Sequence, residues 1–248
     1  MTNEKQFDIG IVTTVWGDYG KYLPEWASSI CQQTVKPKIV TLVVAGETPN
    51  NAPKIWREKC VPLFNEKEIA YQIKILPEHK GMGYARNAAV RETETKWIMH
   101  LDVDDLLLPF AIYELSILSK DADVIVPGVR KETMSGELIY EKIFTNKKLP
   151  SLERISKGKG SGSSMNTYRR SFWEKQPYIE ENEFVVTSLL IGFLHLGARV
   201  KATDKACCIW RFREDSHWHF DLSSKKRIAA KEQNIKLIAS LDNFKELR

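Results

Sequence analysis

The chain has 248 residues, 43% of them hydrophobic, and carries 37 Lys and Arg against 32 Asp and Glu, a net charge of +5. That content can bury a sizeable core, which excludes a disordered or fibrous protein and fits one large α/β domain or two small ones. No run of about 18 apolar residues occurs and the start, MTNEKQFD, is polar, so neither a membrane span nor a secretory leader is expected, and a cytoplasmic location is.

Strands and helices alternate along the chain, as a mostly parallel sheet flanked by helices requires. Asp8–Trp16 (DIGIVTTVW) reads as a first strand and Lys38–Ala45 as a second. Glu78-His-Lys-Gly81-Met-Gly83 is a loop that runs into a helix with apolar Ala85, Ala88, Ala89 and Val90. Glycines there let a backbone come close to a ligand, the helix start favours anions, and Arg86 adds a fixed cation. Trp97–Leu101 is a strand that ends abruptly in Asp102, Asp104 and Asp105. Carboxylates packed this closely repel one another, and Asp is a poor strand former. The run is therefore either a polar loop capping the next helix or a site for a neutralising cation. The carboxyl end of a strand in an open α/β sheet is where ligands bind, which points to a divalent metal with a phosphate-bearing ligand.

Further on, Leu107–Ser119 reads as a helix and Asp123–Val129 as a strand. TMSGEL is a turn signal, so Glu137–Phe144 reads as the second strand of a hairpin. Thr145–Lys157 reads as irregular, and Gly158–Ser164 (GKGSGSS) as a mobile loop at the site. Phe172 and Trp173 are either core aromatics at a helix start or a stacking platform for a sugar or base. A helix is expected near Thr187–Leu196, and a strand near Arg211-Phe-Arg213. Arg211 and Arg213 are cations able to hold a diphosphate. The four cysteines (Cys31, Cys60, Cys207, Cys208) lack metal-ligand spacing and read as reduced packing residues.

The segments GMGYARNAAV and WIMHLDVDDLLLP resemble family 2 glycosyltransferases of the GT-A fold, with their Gly-x-x-x-Ala-Arg-Asn helix and Asp-x-Asp strand end. The stretch Tyr22-Leu-Pro-Glu-Trp-Ala-Ser-Ser-Ile-Cys-Gln-Gln is similar to that family's first helix. The resemblance implies a single GT-A (Rossmann-like) domain over residues 1–220. Its nucleotide-sugar half would cover about 1–110 and its acceptor half about 111–220, followed by a C-terminal helix over 221–248.

It also implies a metal-dependent, inverting transfer of a sugar from a nucleoside-diphosphate sugar to an acceptor hydroxyl, with Mn²⁺ or Mg²⁺ as cofactor. The base of the nucleotide would lie near Thr13, Thr14 and Glu47, and its phosphates near Gly81 and Arg86. Asp102 would meet the ribose or the metal's water shell, Asp104 would ligate the metal, and Asp105 would hold the donor sugar or a neighbouring group. His217, with His219 second, would complete the metal site. The family carries a Glu-Asp pair at the start of the helix that Gly197 ends, where this chain has Val185-Val186. The proton acceptor would then be Glu183, with Glu181 second, among the nearby acids Glu180, Glu181 and Glu183. The positive charge suits a nucleotide sugar. A glycan, a lipid-linked sugar or a modified DNA base all remain open as acceptor, as do a nucleotidyltransferase and a binding protein without turnover. Sugar, nucleotide, inversion against retention, and oligomeric state are open as well.

Overall fold

The continuous apolar runs of this chain become strands with both faces covered, as parallel strands under helices require. In the computed structural model, which describes residues 6–48, 51–144, 149–157, 163–180, 185–213 and 232–241, nine strands join one sheet. They are β1 (Gln6–Val15), β2 (Lys36–Ala45), β3 (Ala70–Leu76), β4 (Trp97–His100), β5 (Leu106–Leu107), β6 (Val124–Thr133), β7 (Leu138–Lys142), β8 (Thr167–Arg169) and β9 (Val200–Phe212). The order is β3-β2-β1-β4-β8-β6-β9-β5, with β7 added to β6. The β3-β2-β1-β4 half is parallel. Beyond it β8 runs antiparallel to both neighbours, while β6 and β9 are again parallel.

Two apolar layers cover the sheet. One packs Ile9, Ile11, Val40, Leu42 and Met99 against Leu23, Trp26 and Ile30 of α1 (Leu23–Cys31) and against Trp56 and Phe64. The other packs Val12, Val43 and Ile98 against Ala85, Ala88 and Ala89 of α4 (Met82–Glu92) and against Leu189, Leu190 and Phe193 of α8 (Val185–His195). Between these helices lie the short α2 (Ala52–Ile55), α3 (Val61–Glu66), α5 (Ala111–Leu118), α6 (Leu152–Ser156) and α7 (Arg170–Lys175). A last helix, α9, covers 232–241, and its Leu237, Ile238 and Leu241 pack on the second layer. The proposed boundary near residue 220 lies outside the described residues, as does most of the loop expected at Gly158–Ser164. Among the described residues no helix is long and apolar enough to cross a membrane.

Three elements differ from the sequence reading. Leu106-Leu107 is not the start of a helix but a short strand against Cys208 and Ile209 of β9. Pro109 drives the residue before it away from helical geometry, so α5 begins only at Ala111. Leu152–Ser156, read as irregular, is a helix because the Ser151 side chain accepts a hydrogen bond from the Arg154 amide at its start. The strand expected to end at Val129 continues to Thr133, paired with both β7 and β9. The hairpin itself is present, with Gly136 at φ 87° in its turn.

The strand order reverses between β1 and β4, the place in an open α/β sheet where a crevice opens outside the carboxyl ends. Thr13, Thr14 and Trp16 at the end of β1, and His100 to Asp105 at the end of β4, flank that crevice.

Candidate active site

Three acids at the end of β4 meet three arginines from distant parts of the chain. Arg86, on α4 with its side chain only 3% exposed, donates from Nη2 to Asp102 Oδ1 at 2.8 Å. Its Nε and Nη1 are buried and have no hydrogen-bond partner among the described residues. Burial pushes the Asp102 carboxyl up, but the Arg86 charge, together with smaller contributions from His100 and from hydrogen bonds of Ser164 and Arg86, outweighs it and holds the group below the usual carboxylate range. His100, fully buried at the end of β4, has its Nε2 3.6 Å from the same Oδ1. Burial first, and the Arg86 charge second, pull its imidazole down to about 3 against an upward pull from Asp102. His100 is therefore neutral at physiological pH.

Asp104 is partly exposed, and its Oδ2 lies 3.3 Å from Arg213 Nε. Burial and the Asp102 charge raise its pKa, with Arg213 opposing. Asp105 faces inward, 3% exposed, and its Oδ1 accepts the Arg211 backbone N–H at 3.0 Å. Burial, Asp104 and Asp102 push it well above the usual range. It pins β9 to the acid-bearing turn.

The end of β9 is fastened in turn to the first layer. Arg211 donates to the Asp104 carbonyl oxygen and to the Glu25 carboxylate. Arg213 donates to the hydroxyls of Tyr19 at 2.7 Å and Tyr22 at 3.2 Å, and its guanidinium lies 4.5 Å above the Tyr19 ring. Trp26 Nε1 donates to the Leu101 carbonyl oxygen at 3.2 Å, tying α1 to the same turn. Arg211 and, just past β9, Arg213 are thus engaged with the protein, while Arg211 Nη2 is buried with no hydrogen-bond partner among the described residues.

No group of three metal-ligating side chains converges among the described residues. Asp102 and Asp104 nevertheless fit a hard divalent ion, which binds through one or two carboxylates and substrate phosphates. The raised Asp104 carboxyl, next to a second negative charge, is the group such an ion would relieve.

Gly81 (φ 105°) precedes α4, whose Gly83 makes a close approach of another kind than expected. A Cβ on Gly83 would lie 2.7 Å from the Ile179 carbonyl oxygen and 2.8 Å from Glu180 Cα. The glycine admits the chain's own backbone. Replacing Gly83 by alanine will therefore destabilise the fold, even though alanine favours a helix by about 1 kcal/mol over glycine. Overpacking against backbone costs about 1–3 kcal/mol and wins. Urea denaturation checks this, with a lower midpoint expected at unchanged slope.

A model of the family described as Glycosyl transferase family 2 matches residues 11–176. The chain belongs to that family. A relative, "Uncharacterized glycosyltransferase MJ1057" of Methanocaldococcus jannaschii, is 26% identical over 136 residues, which are 54% of this chain and 45% of the relative. The chain thus spans under half the length of that relative. Solved structures share the fold. S. aureus TarS 1-349 in complex with UDP-GlcNAc is 15% identical, has a TM-score of 0.68, and is matched over 96% of this chain and 72% of its own. The mannosyltransferase PcManGT from Pyrobaculum calidifontis, in complex with GDP-Man and Mn²⁺, is 12% identical, has a TM-score of 0.61, and is matched over 94% and 73%.

Within this family 2 domain, the structure brings together Arg86, Asp102, Asp104 and Asp105, with Thr13, Thr14 and Gly81 around the same crevice. Thr13 is fully buried with its hydroxyl unpartnered among the described residues, Thr14 is partly exposed, and Glu47 is exposed just after Gly46 (φ 72°) at the end of β2. Glu181, Glu183, His217 and His219 lie outside the described residues. Val185, where the family carries an acid, is 1% exposed in the second apolar layer. Trp173 is a core residue, and Phe172 packs edge-on to Phe193 at 5.8 Å, so the core alternative holds for both. Two features carried no sequence signal. One is an aromatic group in which Trp16 stacks on Tyr19 at 5.3 Å and lies 5.1 Å from His79. The other is the set of bonds made by Asn87, whose partners are remote in sequence. All four cysteines are free, and burial raises each thiol pKa.

Proposed function

We propose that this chain transfers a sugar, with inversion, from a nucleoside-diphosphate sugar to an acceptor hydroxyl. The observation that carries the reading is Arg86, a buried guanidinium bonded to Asp102 beside the crevice, with two further nitrogens free of protein partners among the described residues. A diphosphate leaving group is the anion such a fork suits. Asp104, with Asp102 and His217, would hold Mn²⁺ or Mg²⁺, which when bound supplies charge stabilisation to the departing diphosphate. Arg86 supplies the same from the protein side, the main electrostatic task of the step.

Thr13, Thr14, Glu47 and Gly81 would line the nucleotide, with Trp16 and His79 as an aromatic wall beside them. Glu183, or Glu181, would take the acceptor proton. Asp105 would act by holding β9 in place. The acceptor would be a glycan, a lipid-linked sugar or a modified DNA base, the last marked by steep salt dependence of binding.

The test is a panel of nucleotide sugars, UDP-GlcNAc and GDP-Man among them, incubated with the protein and Mn²⁺ and read as released nucleoside diphosphate. Slow release from one donor, lost with EDTA, is expected. Thermal stabilisation by a donor without release would favour a binding protein, in line with Val185-Val186. Neither stabilisation nor release from any donor would overturn the reading.

A further inference from the structure

Arg86 is held by one protein hydrogen bond among the described residues, from Nη2 to Asp102 at 2.8 Å. A planar group held at one corner can still pivot about that bond, and a fork serves an anion only when its plane is fixed. The second constraint comes from Tyr178, which follows α7 outside any helix or strand and is buried. Its ring centroid lies 5.9 Å from the central carbon of the Arg86 guanidinium. Burial raises the Tyr178 hydroxyl pKa against the pull of Arg86, so the ring meets the cation as a neutral phenol. The contact is therefore one between a cation and a ring quadrupole, with both groups buried.

Tyr178 is itself fixed at three points. Its backbone N–H donates to Asn87 Oδ1 at 3.0 Å, and its carbonyl oxygen accepts from Asn87 Nδ2 at 2.9 Å. Its hydroxyl lies 3.3 Å from the Tyr168 hydroxyl on β8. Tyr168 in turn is paired in register with Ile98 of β4, the strand that leads into Asp102. The contacts thus close on themselves: α4 carries Arg86 and Asn87, Asn87 holds Tyr178, Tyr178 reaches β8, and β8 lies against β4. We propose that Tyr178 is a positioning residue for the donor: its ring sets the plane of the Arg86 guanidinium, and so the direction in which Nε and Nη1 point. Those two nitrogens are the ones without a hydrogen-bond partner among the described residues. The role in donor binding rests on the proposed transferase reading; the contact with Arg86 does not.

The test separates the shape of the ring from its charge distribution. Wild type is compared with Tyr178→Phe and with a chain carrying pentafluorophenylalanine at position 178. Tyr178→Phe keeps the ring and loses the bond to Tyr168, so Tm should fall by about 2–4 °C, the effect of one buried hydrogen bond in a chain of this size. The fluorinated ring has nearly the same shape but a reversed quadrupole, so it packs like phenylalanine and repels the cation. Both chains should fold, since neither opens a cavity. Two quantities are read. One is Kd for whichever nucleotide sugar of the panel, UDP-GlcNAc and GDP-Man included, binds wild type. The other is hydrogen exchange of the Arg86 Nε–H, whose resonance is the one missing from Arg86→Lys.

A cation on a ring face shifts an equilibrium by roughly fivefold, and by more when desolvated, so the fraction of chains with Arg86 in the binding orientation falls by about that factor when the contact is lost. With the fluorinated ring, Arg86 Nε–H exchange should quicken and donor Kd rise by about fivefold each, while Tyr178→Phe stays within about twofold of wild type in both. Losses in Tyr178→Phe as large as those with the fluorinated ring would overturn the proposal, because packing and the Tyr168 bond would then account for them. Faster exchange with an unchanged donor Kd would overturn the role in donor binding. If wild type binds no nucleotide sugar while exchange still responds to fluorination, the transferase reading falls and the contact stands. If wild type binds donor and neither quantity responds, the role of Tyr178 falls and the transferase reading stands.

Discussion

Asp104→Ala is expected to lower donor turnover by at least about 10³-fold while leaving the chain folded, since loss of one preorganised electrostatic group in an active site costs about 10²–10³ and a metal ligand more. The fold can bear the change because Arg213, the cation facing Asp104 at 3.3 Å, keeps its bonds to the Tyr19 and Tyr22 hydroxyls and its place over their rings. Breaking a fully buried pair costs about 3–5 kcal/mol, and an exposed one about 0–1. Asp104 is partly exposed and Arg213 keeps other partners, so the loss should fall between those limits. Removing one of three crowded carboxylates also relieves Asp105, whose pKa the Asp104 charge helps to raise. Asp104→Asn separates charge from shape. It keeps a carbonyl oxygen facing Arg213 in nearly the same shape, so its stability should match wild type more closely while turnover stays lost. Turnover of either variant within tenfold of wild type at saturating Mn²⁺ would remove Asp104 from the metal site.

What the sequence disclosed followed from burial. β1, β2 and β4 are covered on both faces, so their apolar runs are continuous and easily read. The acid-bearing turn was legible because three carboxylates in four residues conflict with any plain structural use. The neutralising cation inferred from that crowding has a protein counterpart that local sequence could not reveal. Arg213 reaches Tyr19 across 194 positions, and Arg211 reaches the Asp104 carbonyl across 107. Such pairs have no periodicity, since they depend on how β9 returns beside the turn. Asn87 is a similar case, with Tyr178 91 positions away. Gly83 shows a different limit. Its residue type correctly signalled a close backbone approach, but the partner could have been a ligand or the chain itself, and the fold decides for the chain. β5 was missed because two residues wedged between an acid turn and Pro109 are too few to show a period of two.

Arg86→Met should cost both stability and donor affinity, and Arg86→Lys should divide the two. In Arg86→Met, Asp102 loses the charge that holds it ionised against burial, and the site keeps a carboxylate with the neutral His100 at 3.6 Å. Breaking a fully buried pair costs about 3–5 kcal/mol and an exposed one about 0–1, and the Asp102 side chain is 36% exposed, so the loss should fall between them, near about 2 kcal/mol, or a fall in Tm of about 4–8 °C at 2–4 °C per kcal/mol. A drop under about 3 °C would mean that the pair contributes little to the folded state. Lysine restores the charge opposite Asp102 as a point source, so most of the stability should return. It does not restore the planar fork, whose Nε and Nη1 have no partner among the described residues and are the donors proposed to meet the diphosphate. Donor Kd for Arg86→Lys should therefore rise at least about tenfold, the loss of roughly one charge-assisted hydrogen bond. Calorimetric titration with donor, run beside thermal melts, separates the outcomes. Near-wild-type melting with weakened donor binding would place Arg86 on the phosphate. Wild-type donor affinity in Arg86→Lys would reduce Arg86 to the counter-ion of Asp102, and the site would then have to stabilise its leaving group through the metal alone.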